Sequence, residues 1–218
     1  MVLFVYVFGG TMDMGSISVV NFIVPGIILQ TIGQNSATTA IALNNDLTKG
    51  IIDRFHTMPI AKSSLLTGHV LAAFVSNAIT ATAALCTALI VGFRPEAGLL
   101  AWLGAIGIIL LYILVVTWLA IISGLHSKTA ESAGGLMMIV AIIPFLSSGF
   151  APTETMPRAL RVFAENQPVT PIIDSIRALF LNQPFPDGTL LRALLWSIGL
   201  IVVFYILAMK IYKRRLKR

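Results

Sequence analysis

The stretch Leu99-Leu-Ala-Trp-Leu-Gly-Ala-Ile-Gly-Ile-Ile-Leu-Leu-Tyr-Ile-Leu-Val-Val-Thr-Trp-Leu-Ala-Ile-Ile-Ser123 decides the fold class. It lies within 31 residues, 97–127, that carry no formal charge. About 20 predominantly apolar helical residues cross a bilayer core, so the stretch is long enough to span. Four more charge-free runs flank it: 14–45 (32 residues), 63–93 (31), 132–153 (22) and 193–209 (17). The last reaches spanning length with the uncharged Thr189–Leu191 just before Arg192. These runs place spans at 18–43, 65–92, 98–123, 133–151 and 189–209. Val2–Phe8 is apolar but too short to cross, and lacks the basic start of a signal peptide. Residues 1–10 read as the outer end of a truncated first span.

Composition agrees. Of 218 residues, 57% are hydrophobic and 11% charged, against roughly 25% charged in soluble domains. That excludes an ordinary soluble globule, a disordered chain and a nucleic-acid binder. The single cysteine, Cys86, excludes an internal disulfide framework.

The net charge of +6 reads as topology. The tail 210–218 carries six Lys and Arg residues, which puts the C-terminus in the cytoplasm. Alternating back, the loops 44–64 and 124–132 are also inside. Ten basic residues then lie inside and five (Arg94, Arg158, Arg161, Arg177, Arg192) outside. The expectation is a multi-pass protein of the inner (plasma) membrane.

Two connections carry further information. In 44–58, Leu47, Ile51, Phe55 and Met58 follow Leu43 at helical spacing. Asn44, Asn45, Thr48, Lys49, Asp53 and His56 fill the remaining face, and Pro59 ends the pattern. The segment is an amphipathic helix, either lying on the membrane or docking a cytosolic partner. In 152–188, Thr155 before Pro157 and Thr170 before Pro171 are helix-start signals, a capping hydroxyl and a first-turn proline. Two short external helices follow, with Asn166–Pro171 as the break. They form either a plain cap or a re-entrant hairpin, which requires a backbone buried in protein.

Within the first complete span, Gln30, Gln34 and Thr38 recur every fourth residue, with Thr31, Asn35 and Thr39 beside them. Such a stripe should not face lipid. It either hydrogen-bonds to neighbouring helices or lines a substrate path. Pro25 and Gly26 read as a bend at the outer end. Ala73, Asn77, Ala81, Ala84, Gly104 and Gly107 read as close-packing surfaces, and Cys86 as a small packing residue. Lys128 and Glu131 form an i, i+3 pair that suits a surface salt bridge or a partner contact.

A family resemblance rests on Phe8-Gly-Gly10, Val24-Pro-Gly-Ile-Ile-Leu-Gln30, Asp46-Leu-Thr-Lys-Gly50 and Asp53-Arg-Phe-His-Thr-Met-Pro-Ile60. Gly149-Phe-Ala-Pro152, Met156-Pro157, Asn166-Gln-Pro-Val-Thr-Pro171 and the basic tail continue it. In that order the chain resembles the membrane subunit of type-2 ABC exporters, nearest the daunorubicin-resistance-type permeases. The resemblance implies an all-α, six-span permease forming one domain over 1–218, with five spans complete here. It implies that 44–58 is a coupling helix, with Leu47, Ile51, Phe55 and Met58 as anchors and Asp53 and Arg54 as polar contacts to an ATPase. Lys128 and Glu131 would be a second ATPase contact, and Gln30, Thr31, Gln34, Asn35 and Thr38 the substrate path. Its partners would be two copies of a cytosolic ABC ATPase, a second permease chain and the bilayer. ATP and Mg would sit on the ATPase, with no cofactor on this chain.

The sequence agrees independently on where ATP is handled. Gly-Lys never occurs as a dipeptide, so there is no phosphate-cradling loop of the G-x-x-x-x-G-K type. The expected function is export of a hydrophobic or amphiphilic substrate without catalytic residues. Ion-coupled transport is the alternative, disfavoured because no Asp or Glu lies inside the spans. A packing or assembly subunit without its own path is the other, and an intramembrane enzyme lacks any nucleophile or metal constellation.

Overall fold

The computed structural model describes residues 18–49, 64–186 and 188–215. Among them every regular element is helical: α1 (Val19–Thr48), α2 (Ser64–Val91), α3 (Leu99–His126), α4 (Ala130–Ile142), α5 (Arg158–Asn166), α6 (Val169–Phe180) and α7 (Thr189–Arg215). Leu66–Val91, Leu99–His126 and Thr189–Arg214 are each long and apolar enough to cross a membrane. α1 has 30 residues, about 45 Å, and carries the polar stripe.

One end of the bundle gathers the C-termini of α1, α3 and α7 with the start of α2. Leu43, Leu66, Ile121, Leu125, Ala208 and Tyr212 pack together there. Lys49, Lys128, Lys210, Lys213 and Arg214 belong to this basic end. At the opposite end the start of α1 meets the α2–α3 connection: the Arg94 N–H donates to Asn21 Oδ1 at 3.2 Å. The Glu96 N–H donates to the Phe180 carbonyl at 2.9 Å.

α1 is the central helix, packed by α2, α3, α4 and α6. Its Ile28, Leu29 and Ile32 share one core with Ile109, Ile113 and Val116 of α3 and Ile172, Ile173 and Ile176 of α6. Lipid tails are as apolar as these side chains, so close packing rather than water exclusion holds helices together in a bilayer. Small residues allow it. A Cβ on Gly26 would lie 2.7 Å from the Gly149 carbonyl oxygen, and one on Gly124 2.8 Å from that of Ala40.

Three expected boundaries differ. α1 does not stop at residue 43: it runs to Thr48 and is capped at Lys49, so 44–48 are its last turn rather than the start of a separate helix. The expected span 133–151 is a 13-residue α-helix followed by a 3-10 turn, Ile143–Leu146. Pro144 lacks an N–H and crowds the carbonyl four residues back, which tightens the coil. Its start lies earlier because Thr129 and Ser132 form a capping box. In the segment 152–188, α5 and α6 are present, but prolines start them rather than hydroxyl caps. Pro157 and Pro168 occupy the N-cap positions, neither making a side-chain cap bond. Thr170 Oγ1 instead donates to the Ala164 carbonyl, and the break narrows to Gln167–Pro168. α6 is buried at ten of its twelve residues, whereas α5 exposes Leu160, Val162 and Phe163.

Candidate functional site

The stripe on α1 divides into bonded and open side chains. Asn35 Nδ2 donates to Ser76 Oγ and to Asn77 Oδ1 of α2, both at 3.0 Å. Asn77 Nδ2 donates to Ser36 Oγ at 3.2 Å. This four-residue polar knot lies between α1 and α2, with Ala73 and Ala81 buried a turn away on each side of Asn77. Thr31 and Thr38 return their hydroxyls to α1 itself, on the carbonyls of Ile28 (2.9 Å) and Asn35 (2.7 Å). Thr39 is buried, Gln30 half-buried, and Gln34 and Thr38 are exposed. Packing therefore accounts for Asn35, and leaves the face bearing Gln34 and Thr38 uncovered among the described residues.

At the basic end, the expected coupling helix lies only partly among the described residues. Leu47 is half-buried against the cluster around Leu43 and Leu125. Ile51, Asp53, Arg54, Phe55 and Met58 lie outside them, as does His56. Asp46 Oδ2 is 3.0 Å from His69 Nε2, which joins the last turn of α1 to the first turns of α2. Asn44, expected on a polar outer face, is instead fully buried. Its Nδ2 donates to the carbonyls of Gly124 (3.0 Å) and Ser127 (2.8 Å) at the end of α3. The helix continues straight through this position, so Asn44 lies on the face turned to α3.

Lys128 and Glu131 are both exposed but form no ion pair with each other, correcting the salt-bridge expectation. Glu131 sits in the first turn of α4, where a carboxylate favours the positive end of the helix dipole. Cys86 is exposed on α2 rather than packed, beside Ile79, Thr82 and Ala83 on an apolar surface. Gly104 backs onto Leu179, but among the described residues a Cβ on Gly107 would meet nothing within 4 Å, so Gly107 makes no packing contact there.

Arg177, counted as an external surface charge, is buried in the opposite half. Its Nη1 donates to Asp174 Oδ1 at 2.7 Å, its Nε to the Phe22 carbonyl at 3.1 Å and its Nη2 to the Ser148 carbonyl. The guanidinium also lies 3.8 Å over the centre of the Phe22 ring, a cation–π contact. Ser148 Oγ completes the cluster on Asp174 Oδ1 at 2.7 Å. One planar fork thus joins α1, α6 and the loop after α4, using the rigid donor geometry that lysine lacks. The sequence offered one signal, Asp174 three residues before Arg177.

Among the described residues the arrangement is a helical bundle with a half-satisfied polar stripe and two polar junctions at its ends. Comparison with known proteins fits that architecture. The chain is 28% identical over 217 residues to a daunorubicin resistance ABC transporter permease protein of Streptomyces coeruleorubidus, covering 99% of this chain and 76% of that one. It is 26% identical over 181 residues to a probable doxorubicin resistance ABC transporter permease protein of Mycobacterium tuberculosis, covering 83% of this chain and 65% of that one. Residues 1–181 match the family model of the ABC-2 type transporter, and the chain belongs to that family of membrane permeases.

Proposed function

We propose that the chain is the transmembrane subunit of an ATP-driven exporter. It moves a hydrophobic or amphiphilic substrate (a drug, a polyketide or a lipid-like molecule) out of the cytoplasm. Two permease chains pair with two copies of a separate ABC ATPase, which binds ATP and Mg. The basic end faces the cytoplasm.

The observation that carries this reading is the open half of the stripe. Gln34 lies at the middle of the 30-residue α1 and is exposed together with Thr38. No hydrogen bond reaches the Gln34 amide among the described residues, and a bare amide in hydrocarbon is costly, so this face suits a second chain or a hydrated path. A paired permease supplies both. The resistance functions in the relatives' names favour drug-like molecules as the cargo.

Energy enters at the basic end. The stretch 44–58 is the coupling element, its first turn belonging to α1 and its anchors being Leu47, Ile51, Phe55 and Met58. Asp53 and Arg54 supply polar contacts, and Lys128 and Glu131 a second contact. Burying one such apolar side chain is worth about 1.5–3 kcal/mol, and each 1.4 kcal/mol is about tenfold in affinity. Affinity capture of the tagged chain from its native membrane should therefore bring down an ABC ATPase. Phe55→Ala and Ile51→Ala should lower that capture about tenfold or more. Capture of no ATPase by the intact chain would overturn the assignment.

A further inference from the structure

We propose that Asn44 is a positioning residue for energy coupling, linking the C-terminal end of α1 to the connection around Lys128. The proposal deepens the exporter reading and rests on it.

Asn44 lies in the last two turns of α1, directly before the connection. Both hydrogens of its amide nitrogen are used across the helix interface, on the carbonyls of Gly124 and Ser127. α3 ends at His126, so the Gly124 carbonyl is among the last four that lack a partner within the helix. Asn44 is thus the C-terminal cap of α3, supplied by α1. Its Oδ1 is buried without a partner. An apolar side chain of the same size would leave no such orphan, so what the amide contributes is its pair of donors.

The surroundings make this link stiff. One turn earlier on α1, the Ala40 carbonyl abuts Gly124 so closely that a Cβ there would sit 2.8 Å from it and 3.1 Å from Leu43 Cβ. On the far side of α3, Ser123 Oγ donates to the Ala133 carbonyl of α4 at 2.8 Å. Thr129 and Ser132 fix the α4 start at the same place. On the near side, Asp46 and His69 tie the last turn of α1 to the first turns of α2. A push delivered to the end of α1 therefore passes through Asn44 to the end of α3 and continues into α4. Without the two donors, α1 and α3 keep their apolar contact but lose the directional constraint.

The test uses the full complex in nanodiscs, in a Cys86→Ala background. Nitroxide labels are placed at Lys49, at the end of α1, or at His126, at the end of α3; both positions are exposed. The distance between the labels of the two permease copies is measured with and without ATP–vanadate. In the otherwise unaltered chain both distances should shift. In Asn44→Asp and Asn44→Leu the Lys49 shift should persist and the His126 shift should be lost. Asn44→Leu keeps the site packed, so a carboxylate's disruption of folding cannot imitate the result. A His126 shift of unaltered size in Asn44→Leu overturns the inference, as does a parallel fall of both shifts, which marks general loosening. If neither distance moves in the otherwise unaltered chain, ATP does not drive this permease, and the exporter reading falls with the inference.

Discussion

Arg177 Nε donates to the Phe22 carbonyl at 3.1 Å, across 155 residues of sequence. The same guanidinium holds Asp174 and the Ser148 carbonyl, so one side chain joins α6, the beginning of α1 and the loop after α4. Gly26 and Gly149 touch just beside it. The end of the bundle opposite the basic end is therefore one unit, and α1 is tied at both of its ends.

Removing Arg177 leaves Asp174 with the Ser148 hydroxyl alone and takes one donor from each of two carbonyls. Breaking a buried ion pair from one side costs about 3–5 kcal/mol; Asp174 keeps some exposure (28%), so the lower figure applies. Arg177→Met should lower the melting temperature in detergent markedly. Arg177→Lys should recover only part of it, because an ammonium cannot reproduce the planar fork. Equal melting of Arg177→Lys and the unaltered protein would count against the three-way junction.

The two glycines at that junction should be intolerant of a methyl group. Overpacking a tight contact costs about 1–3 kcal/mol, and neither backbone can move without the other. Gly26→Ala and Gly149→Ala should each reduce the yield of folded protein, while Gly107→Ala, with open space beside it, should not. A thermal-shift series in detergent reads all three.

The stripe should separate by function. Asn35→Ala and Asn77→Ala share a hydrogen bond, so a double-mutant cycle should give a coupling of about 0.6 kcal/mol, the average for such bonds in membranes. Gln34→Ala and Thr38→Ala remove no hydrogen bond to α2 among the described residues. They should leave melting unchanged and alter substrate preference or ATPase stimulation. Loss of folded protein with selectivity intact would show that the open face is packing surface instead.

The sides of the membrane can be assigned chemically. In a Cys86→Ala background, a cysteine at Glu165 on α5 should react with an impermeant maleimide added to intact cells, and one at Lys213 should not. The opposite pattern would reverse every side assignment.

The helical membrane class was legible because charge-free length is set directly by bilayer thickness: α2 and α3 lie within such runs, and α7 is built around one. Boundaries and partners were less so. Asn44-Asn45 looked like the edge of a span, but paired amides do not stop a helix, and the row Leu43, Leu47 belongs to the same continuous coil. Pro144 carried a readable signal for the tightened end of α4 that charge spacing alone passes over. Arg177 was hidden for a different reason. Two of its three acceptors are main-chain carbonyls, at Phe22 and Ser148, and every residue has one, so no side-chain pattern could mark them. Asn44 is hidden likewise, since Gly124 and Ser127 contribute only carbonyls to it.

Under the proposed function the chain forms an export path driven by an ATPase docked at its basic end. The most direct measurement is ATP-dependent uptake of daunorubicin, read by fluorescence quenching, into inverted vesicles containing the chain and its ATPase. The account predicts uptake that requires hydrolysable ATP, persists when ion gradients are collapsed, and falls sharply in Phe55→Ala. Uptake that survives without ATP but disappears with the proton gradient would contradict it.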